Sequence, residues 1–347
     1  MTRGRRSNLA LCLLVAVLGL GPTGAAVALP TPPRPPEQPA AGPGGAAFAY
    51  EGVNATRVGR LPDGAWLFAP THLRLDETVE RAMAPLPLVV FFHGFTAVDP
   101  TAYRAWIDHI VRRGAIVVYP DYQTLNPFEV GFEAFQANAL AGVRAALAEL
   151  EAGGGPRPDL SRVAVVGHSL GGVLAANYAA VAAPEGLPMP TVLMPIEPGG
   201  CEGCGGLQRG GTPLADLAAV PASTSVLVVV GDDDDIVGER AAGRIWADLT
   251  AVPLDRRDYV TLRSDHRGVP PLRATHLMPQ TGGLGGVEDA LDWYGTWKLL
   301  DALMACTFSG ELCDTALGDT LAQRFMGVWS DGEPVTEARI NDDPGSP

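Results

Sequence analysis

Short, mostly apolar runs alternate with helix-length segments along most of this chain, and that alternation constrains the fold more than any other feature. Leu88 to Phe92, Ala115 to Tyr119, Val163 to Val166, Thr191 to Ile196, Val226 to Val230 and Tyr259 to Leu262 read as strands. None shows the in–out alternation of a half-exposed strand, so both faces of their sheet must be covered. Tyr103 to Val111 reads as a helix with Trp106, Ile107, Ile110 and Val111 on one face, and Phe132 to Leu150 as a long Ala-rich helix. Leu170 to Ala183 is a helix of small residues, and Ala290 to Met304 a closing helix. Strand–helix–strand order with mostly apolar strands implies an α/β class: a mostly parallel central sheet with helices on both faces. Phe48 to Leu73 is expected to add antiparallel edge strands. The 42 Gly and 31 Pro among 347 residues exclude a long coiled coil or a helical repeat. A chain 47% hydrophobic and 18% charged can fill a core.

The two ends read differently from the middle. Arg3, Arg5 and Arg6 precede an apolar stretch from Leu9 to Leu20, too short to span a bilayer, and Ala26-Val27-Ala28 offers small residues before a cut. Residues 1–28 are therefore expected to be a signal peptide, giving a secreted, periplasmic or otherwise extracytoplasmic protein with no membrane span after cleavage. The rival is a retained anchor, against which Gly19, Gly21 and Pro22 end the run early. The Arg5-Arg6 pair permits twin-arginine as well as general export. Residues 29–47, rich in Pro, Ala and Gly, are expected to be a disordered linker, residues 48–330 the folded domain, and residues 331–347 a flexible acidic tail.

Charge and cysteines narrow the partners. The net charge is −14, Lys298 is the only Lys, and no basic stripe occurs beyond the first six residues, which argues against nucleic acid. Beyond Cys12 four cysteines remain, in two local pairs, Cys201 with Cys204 and Cys306 with Cys313. An even count in an exported chain favours disulfides. A zinc site through Cys201-Glu-Gly-Cys204 is the weaker alternative, because no second such motif follows.

The chemistry is concentrated in Gly167-His168-Ser169-Leu170-Gly171-Gly172, which lies between a strand and a helix. A Gly-x-Ser-x-Gly turn in that setting strains the serine backbone, raises its hydroxyl above the sheet and leaves the N-terminus of a helix behind it. At this motif the chain resembles the α/β-hydrolase family from about Phe48 to Trp329. His93-Gly94-Phe95-Thr96-Ala97, His276-Leu277-Met278-Pro279 and Trp297-Lys298-Leu299-Leu300 carry a closer likeness to lid-poor secreted serine esterases, the cutinase-like polyester hydrolases and the dienelactone-hydrolase-like enzymes.

The resemblance implies a Ser-His-Asp triad acting through an acyl-enzyme, with no metal and no organic cofactor. The oxyanion donors are expected at Leu170 and Phe95, with His93 supporting the loop. The acid is expected on the turn Gly231-Asp232-Asp233-Asp234-Asp235, where Asp234 is preferred and Asp235 is adjacent; Glu197, after the preceding strand, is a further candidate. The base is expected at His276, with His266 the rival. The expected activity is hydrolysis of carboxylic esters, with bulky, lipidic or polyester substrates suggested by a Gly-rich stretch between Ile196 and Val226 that is too short for a large lid. A peptidase or acyltransferase could use the same triad, and a non-catalytic binding module could use the same fold.

Overall fold

The computed structural model describes residues 31–74, 84–153, 155–204, 210–283 and 285–341. The expected signal peptide and residues 342–347 lie outside the described residues. By their internal contacts the described residues from Pro33 onward form one compact unit. Among the described residues of that unit, nine strands build one sheet. They are β1 (Tyr50–Val58), β2 (Ala65–Leu73), β3 (Leu86–Phe92), β4 (Ile116–Pro120), β5 (Pro158–His168), β6 (Val192–Ile196), β7 (Ser225–Gly231), β8 (Arg257–Leu262) and β9 (Arg339–Ile340). Their spatial order is β1-β2-β4-β3-β5-β6-β7-β8-β9. The six strands from β4 to β8 in that order run parallel, while β1, β2 and β9 pair antiparallel at the two edges.

The period of two along each strand divides the core into two layers. In β3, Leu88, Val90 and Phe92 face a cluster that holds Phe135 and Val143 of α2 (Phe132–Glu151), Leu174 and Tyr178 of α3 (Leu170–Val181), and Ile245 and Trp246 of α4 (Arg240–Asp248). Val89 and Phe91 face the opposite cluster, with Trp106 and Ile110 of α1 (Arg104–Arg112) and Leu299 and Leu303 of α5 (Trp297–Ser309). Two short helices follow, α6 (Cys313–Ala316) and α7 (Leu321–Arg324). No helix of the described residues is long and apolar enough to cross a membrane.

Three features differ from the sequence expectation. The closing helix begins at Ala290 as expected, but Asp292–Thr296 widens into a π-turn before α5 continues it. Gly295 lies in that turn, where a Cβ would come within 2.9 Å of Leu262 Cδ1, so the wider turn is seated directly on the sheet. Secondly, residues 33–46 of the expected linker are ordered against the domain. The Pro33 carbonyl accepts from Val269 N–H, the Arg34 carbonyl from Ser330 N–H, and the Gly44 N–H donates to Asp301 Oδ2 at 2.8 Å. A Pro-rich segment loses little conformational entropy on ordering, and its free carbonyls suit it to docking by such contacts. Thirdly, the expected flexible tail is folded through residue 341. Val335 and Ala338 are buried, β9 extends the sheet, and Asp265 Oδ2 accepts from Trp329 Nε1, Thr336 N–H and the Thr336 hydroxyl. A polar composition conceals this, because buried hydrogen bonds hold the segment where a large apolar face would otherwise be needed.

The one lysine of the chain fastens this C-terminal region. Lys298 on α5 is buried, and its Nζ donates to the carbonyls of Ala322, Gln323 and Phe325 at 3.2, 2.8 and 2.6 Å. Lys298→Met keeps the apolar stem and leaves these three carbonyls without their donor. It is expected to lower the unfolding free energy by about 2–3 kcal/mol in denaturant titration, the cost of orphaning buried acceptors; an unchanged midpoint would contradict this role. Cys306 is joined to Cys313 and Cys201 to Cys204, the latter in the loop after β6.

Candidate active site

The site assembles at the carboxyl ends of the parallel strands, where the loops after β3, β5, β7 and β8 converge. Ser169 stands between β5 and α3 at φ 57°, ψ −123°, a conformation a non-Gly residue adopts only under constraint. Its N–H donates to the Ile196 carbonyl at 2.9 Å, and its carbonyl accepts from Gly172 and Gly199. The turn fits only because Gly171 has no side chain: a Cβ there would lie 2.2 Å from the Phe92 carbonyl oxygen and 2.3 Å from that of His93.

The loop after β8 brings His276 to this serine, with Nε2 2.9 Å from Ser169 Oγ. On the other side of the ring, Nδ1 is 2.8 Å from Asp234 Oδ2 in the turn after β7. Asp234 Oδ1 accepts from the N–H groups of Ile236 and Val237, both at 3.0 Å. Burial works to raise the Asp234 carboxyl, but the bond to His276, the neighbouring ring and the two N–H groups outweigh it and hold the group below the usual carboxylate range. An ionised Asp234 fixes the tautomer: Nδ1 carries the proton and donates to Asp234, and Nε2 is left to accept from the serine hydroxyl.

The remaining sequence candidates lie elsewhere. Asp235 is exposed, Asp232 accepts from Ser264 N–H, and Asp233 pairs with Arg273 at 3.6 Å. His266 is exposed on the surface of the loop after β8 and makes none of the bonds above. Glu197 is buried behind His276 without bonding to it, Nδ1 to Oε2 being 4.0 Å. His93 stacks on Tyr122 with ring centroids 4.2 Å apart, and its Nδ1 lies 2.7 Å from the Gly94 carbonyl. Burial brings its imidazole down to about 4, so it stays neutral and serves as a support for the loop.

Two N–H groups suit a developing oxyanion. Leu170 is the first residue of α3, so its N–H has no carbonyl one turn back to bond. The N–H groups flanking Phe95 are engaged, that of Gly94 by Tyr103 Oη at 3.0 Å and that of Thr96 by Gln123 Oε1 at 3.0 Å. Among the described residues none accepts from Phe95 N–H. Gly94 allows the close approach, since a Cβ there would lie 3.1 Å from His168 Nδ1.

The sequence reading missed one clasp. His168, the residue before the serine, is buried, with Nδ1 2.7 Å from the Tyr103 hydroxyl and Nε2 2.8 Å from the His276 carbonyl. Burial, and then the neighbouring His276, push its imidazole well below its ordinary value, so the ring is neutral. It accepts from Tyr103 O–H and donates to His276 C=O, while Tyr103 accepts from Gly94 N–H. One chain of bonds thus ties the Phe95 loop, the serine turn and the His276 loop together. The signal was in the sequence as the variable position of the serine motif, but its partner, 65 residues away, was not.

A cleft of about 520 Å³ opens over Ser169, walled by Phe95, Phe132, Leu170, Ile236, Val237 and Leu277. Phe95 and Phe132 stack with centroids 5.7 Å apart. The walls are mostly apolar, and the polar atoms converge on the serine, as in a site for a mainly hydrophobic ligand. Among the described residues the one His/acid group that could share a metal ion is His168, Glu197 and His276. Its nitrogens are already bonded, to the His276 carbonyl and to Asp234, so the group does not fit a metal. The arrangement can deliver an activated hydroxyl to an electrophilic carbonyl and receive the resulting oxyanion.

Residues 89–271 match the sequence profile of a family described as alpha/beta hydrolase fold, a span from β3 to the loop after β8. None of the curated proteins compared with the chain matches it significantly.

Proposed function

The chain belongs to the alpha/beta hydrolase fold family, and from that premise we propose that it is a serine hydrolase of carboxylic esters. The observation that carries the proposal is the continuous relay Ser169 Oγ–His276 Nε2 at 2.9 Å and His276 Nδ1–Asp234 Oδ2 at 2.8 Å. In this reading Ser169 Oγ attacks the ester carbonyl while His276 Nε2 takes its proton. The oxyanion is received by the N–H groups of Leu170 and Phe95. Collapse of the tetrahedral species expels the alcohol, which leaves with the proton from His276. A water molecule, deprotonated by His276, then attacks the acyl-enzyme and releases the acid. Asp234 stays anionic throughout and offsets the imidazolium charge.

Within that class we place the enzyme among lid-poor esterases acting on bulky, lipidic or polyester substrates outside the cytoplasm. The connection from β6 to β7 supports the open cleft: its described residues carry one 3-10 turn, Leu217–Ala219, and no longer helix. The apolar walls supply acyl-binding surface, and the Arg-headed, apolar N-terminus supports export. The likeness of His93–Ala97 and His276–Pro279 to cutinase-like enzymes points the same way. The test is a panel of a short p-nitrophenyl ester, an emulsified triglyceride and a polyester film. Turnover of the short ester and of at least one insoluble substrate, both abolished in Ser169→Ala, is expected. Equal turnover by wild type and Ser169→Ala would refute the hydrolase reading, and turnover of soluble esters alone would refute the substrate class.

A further inference from the structure

The relay leaves one buried acid beside it unused. Glu197 is the first residue after β6 and is 0% exposed. Its backbone sits at φ 44°, in the left-handed region that costs a non-Gly residue energy, and its N–H is pinned to the Val229 carbonyl at 2.7 Å. Neither carboxyl oxygen has a hydrogen-bond partner among the described residues. Space is reserved for it: a Cβ on Gly231 would lie 2.6 Å from Glu197 Oε1. A buried carboxyl without partners is costly, and a strained backbone that delivers it to such a place adds to the cost.

What faces this carboxyl defines its use. His168 Nε2 lies 3.4 Å from Oε2 and His276 Nδ1 lies 4.0 Å from it. Asp234 bonds the same Nδ1 from the neighbouring strand β7, and Tyr103 lies within electrostatic range. Both rings are bonded at both nitrogens, but the His168 bonds run to Tyr103 and to a backbone carbonyl, whereas the bond at His276 Nδ1 ends on Asp234, so it is the Nδ1–H of His276 that becomes available to Glu197 when that carboxylate is removed. Two carboxyls thus converge on one N–H, one bonded to it and one, at 4.0 Å, just beyond hydrogen-bond distance. They cannot both be charged so close together in a buried site. Burial first, and then the Asp234 charge, raise the Glu197 carboxyl well above its ordinary value, so it rests protonated.

We propose that Glu197 is a reserve positioning acid, which accepts the Nδ1–H of His276 when the Asp234 carboxylate is lost. The proposal rests on His276 being the base of a serine hydrolase. Removing Asp234 vacates the space at Nδ1 and removes one of the two influences that keep Glu197 protonated. Glu197 then releases its proton to solvent at a lower pH than in the intact protein, and the anion re-orients the imidazole with Nε2 toward Ser169.

The test compares kcat against pH for wild type, Asp234→Ala, Glu197→Gln, the double variant and Ser169→Ala, using a short p-nitrophenyl ester. The expected result is that Asp234→Ala recovers activity as pH rises above the ordinary carboxylate range, to a plateau at least tenfold above that of the double variant, whose profile lacks the recovery. Equal plateaus and superimposable profiles for Asp234→Ala and the double variant would overturn the proposal. If the double variant fails to fold by circular dichroism, Asp234→Asn serves instead, because its amide occupies the space that Glu197 must enter. Recovery in Asp234→Ala but not in Asp234→Asn supports the proposal, and identical profiles overturn it. Ser169→Ala separates the two levels: retained turnover there defeats the hydrolase reading itself, whereas lost turnover with equal plateaus defeats only the role of Glu197.

Discussion

His276→Ala is expected to lower kcat on a short p-nitrophenyl ester by roughly 10⁴-fold or more, with KM little changed and thermal stability retained. Among the described residues the imidazole is the group bonded to Ser169 Oγ that can take its proton, at 2.9 Å. Without it the hydroxyl must attack as a neutral alcohol. KM changes little because the apolar walls that hold the substrate are left in place. His266→Ala should leave kcat within about twofold, since an exposed side chain outside the relay contributes nothing that differs between ground and transition states. Reversed effects in the two variants would move the base to His266 and leave the 2.9 Å contact without a role.

The second large effect is expected at Asp234. Asp234→Ala should cost roughly 10³-fold in kcat near neutral pH, because the imidazole then loses its bonded counter-charge and the more distant Glu197 restores its orientation only in part; Asp234→Ala with Glu197→Gln should cost at least tenfold more. Asp235→Ala, one residue on, should be nearly silent: its side chain is exposed, whereas Asp234 holds His276 Nδ1 at 2.8 Å. The sign of the pH dependence follows from the direction of the shift. Asp234 sits below the usual carboxylate range in the folded protein, so its contribution is present above that range and is lost as pH falls through its lowered value. In unfolding measurements the wild type should therefore lose more stability on acidification than Asp234→Ala. Parallel acid profiles for the two proteins would contradict an ionised, hydrogen-bonded Asp234.

Much of the architecture was legible because it is written locally. The parallel strands are apolar along most of their buried length, and the residues singled out at Ser169 and Asp234 sit just past such runs, where a loop must leave the sheet. His276 was legible through its motif but not through distance alone, because 13 residues separate it from the end of β8 and His266 is nearer. What settles its place in space is the His168 clasp, and nothing in local sequence links residue 168 to Tyr103 or to the His276 carbonyl. Glu197 was visible as an acid after a strand, yet its left-handed backbone and the cavity left by Gly231 exist only in the folded chain. The ends were misread for a related reason. Proline and acidic residues describe a chain that cannot form its own core, and here both ends instead borrow the core of the domain, through Asp301 at one end and Asp265 at the other. Helix α4 was missed because its buried face is short, with Ile245 and Trp246 following a glycine at position 243.

Whether Ser169 forms the acyl-enzyme can be read by covalent capture. The folded protein is treated with a fluorophosphonate, which reacts with serines activated by a neighbouring base, and the adduct is located by peptide mapping with mass spectrometry. A single adduct, one per chain, on Ser169 is expected, together with complete loss of ester hydrolysis and little or no labelling in His276→Ala. An adduct on another residue, or full labelling of Ser169 with hydrolysis undiminished, would contradict an acyl-enzyme at Ser169.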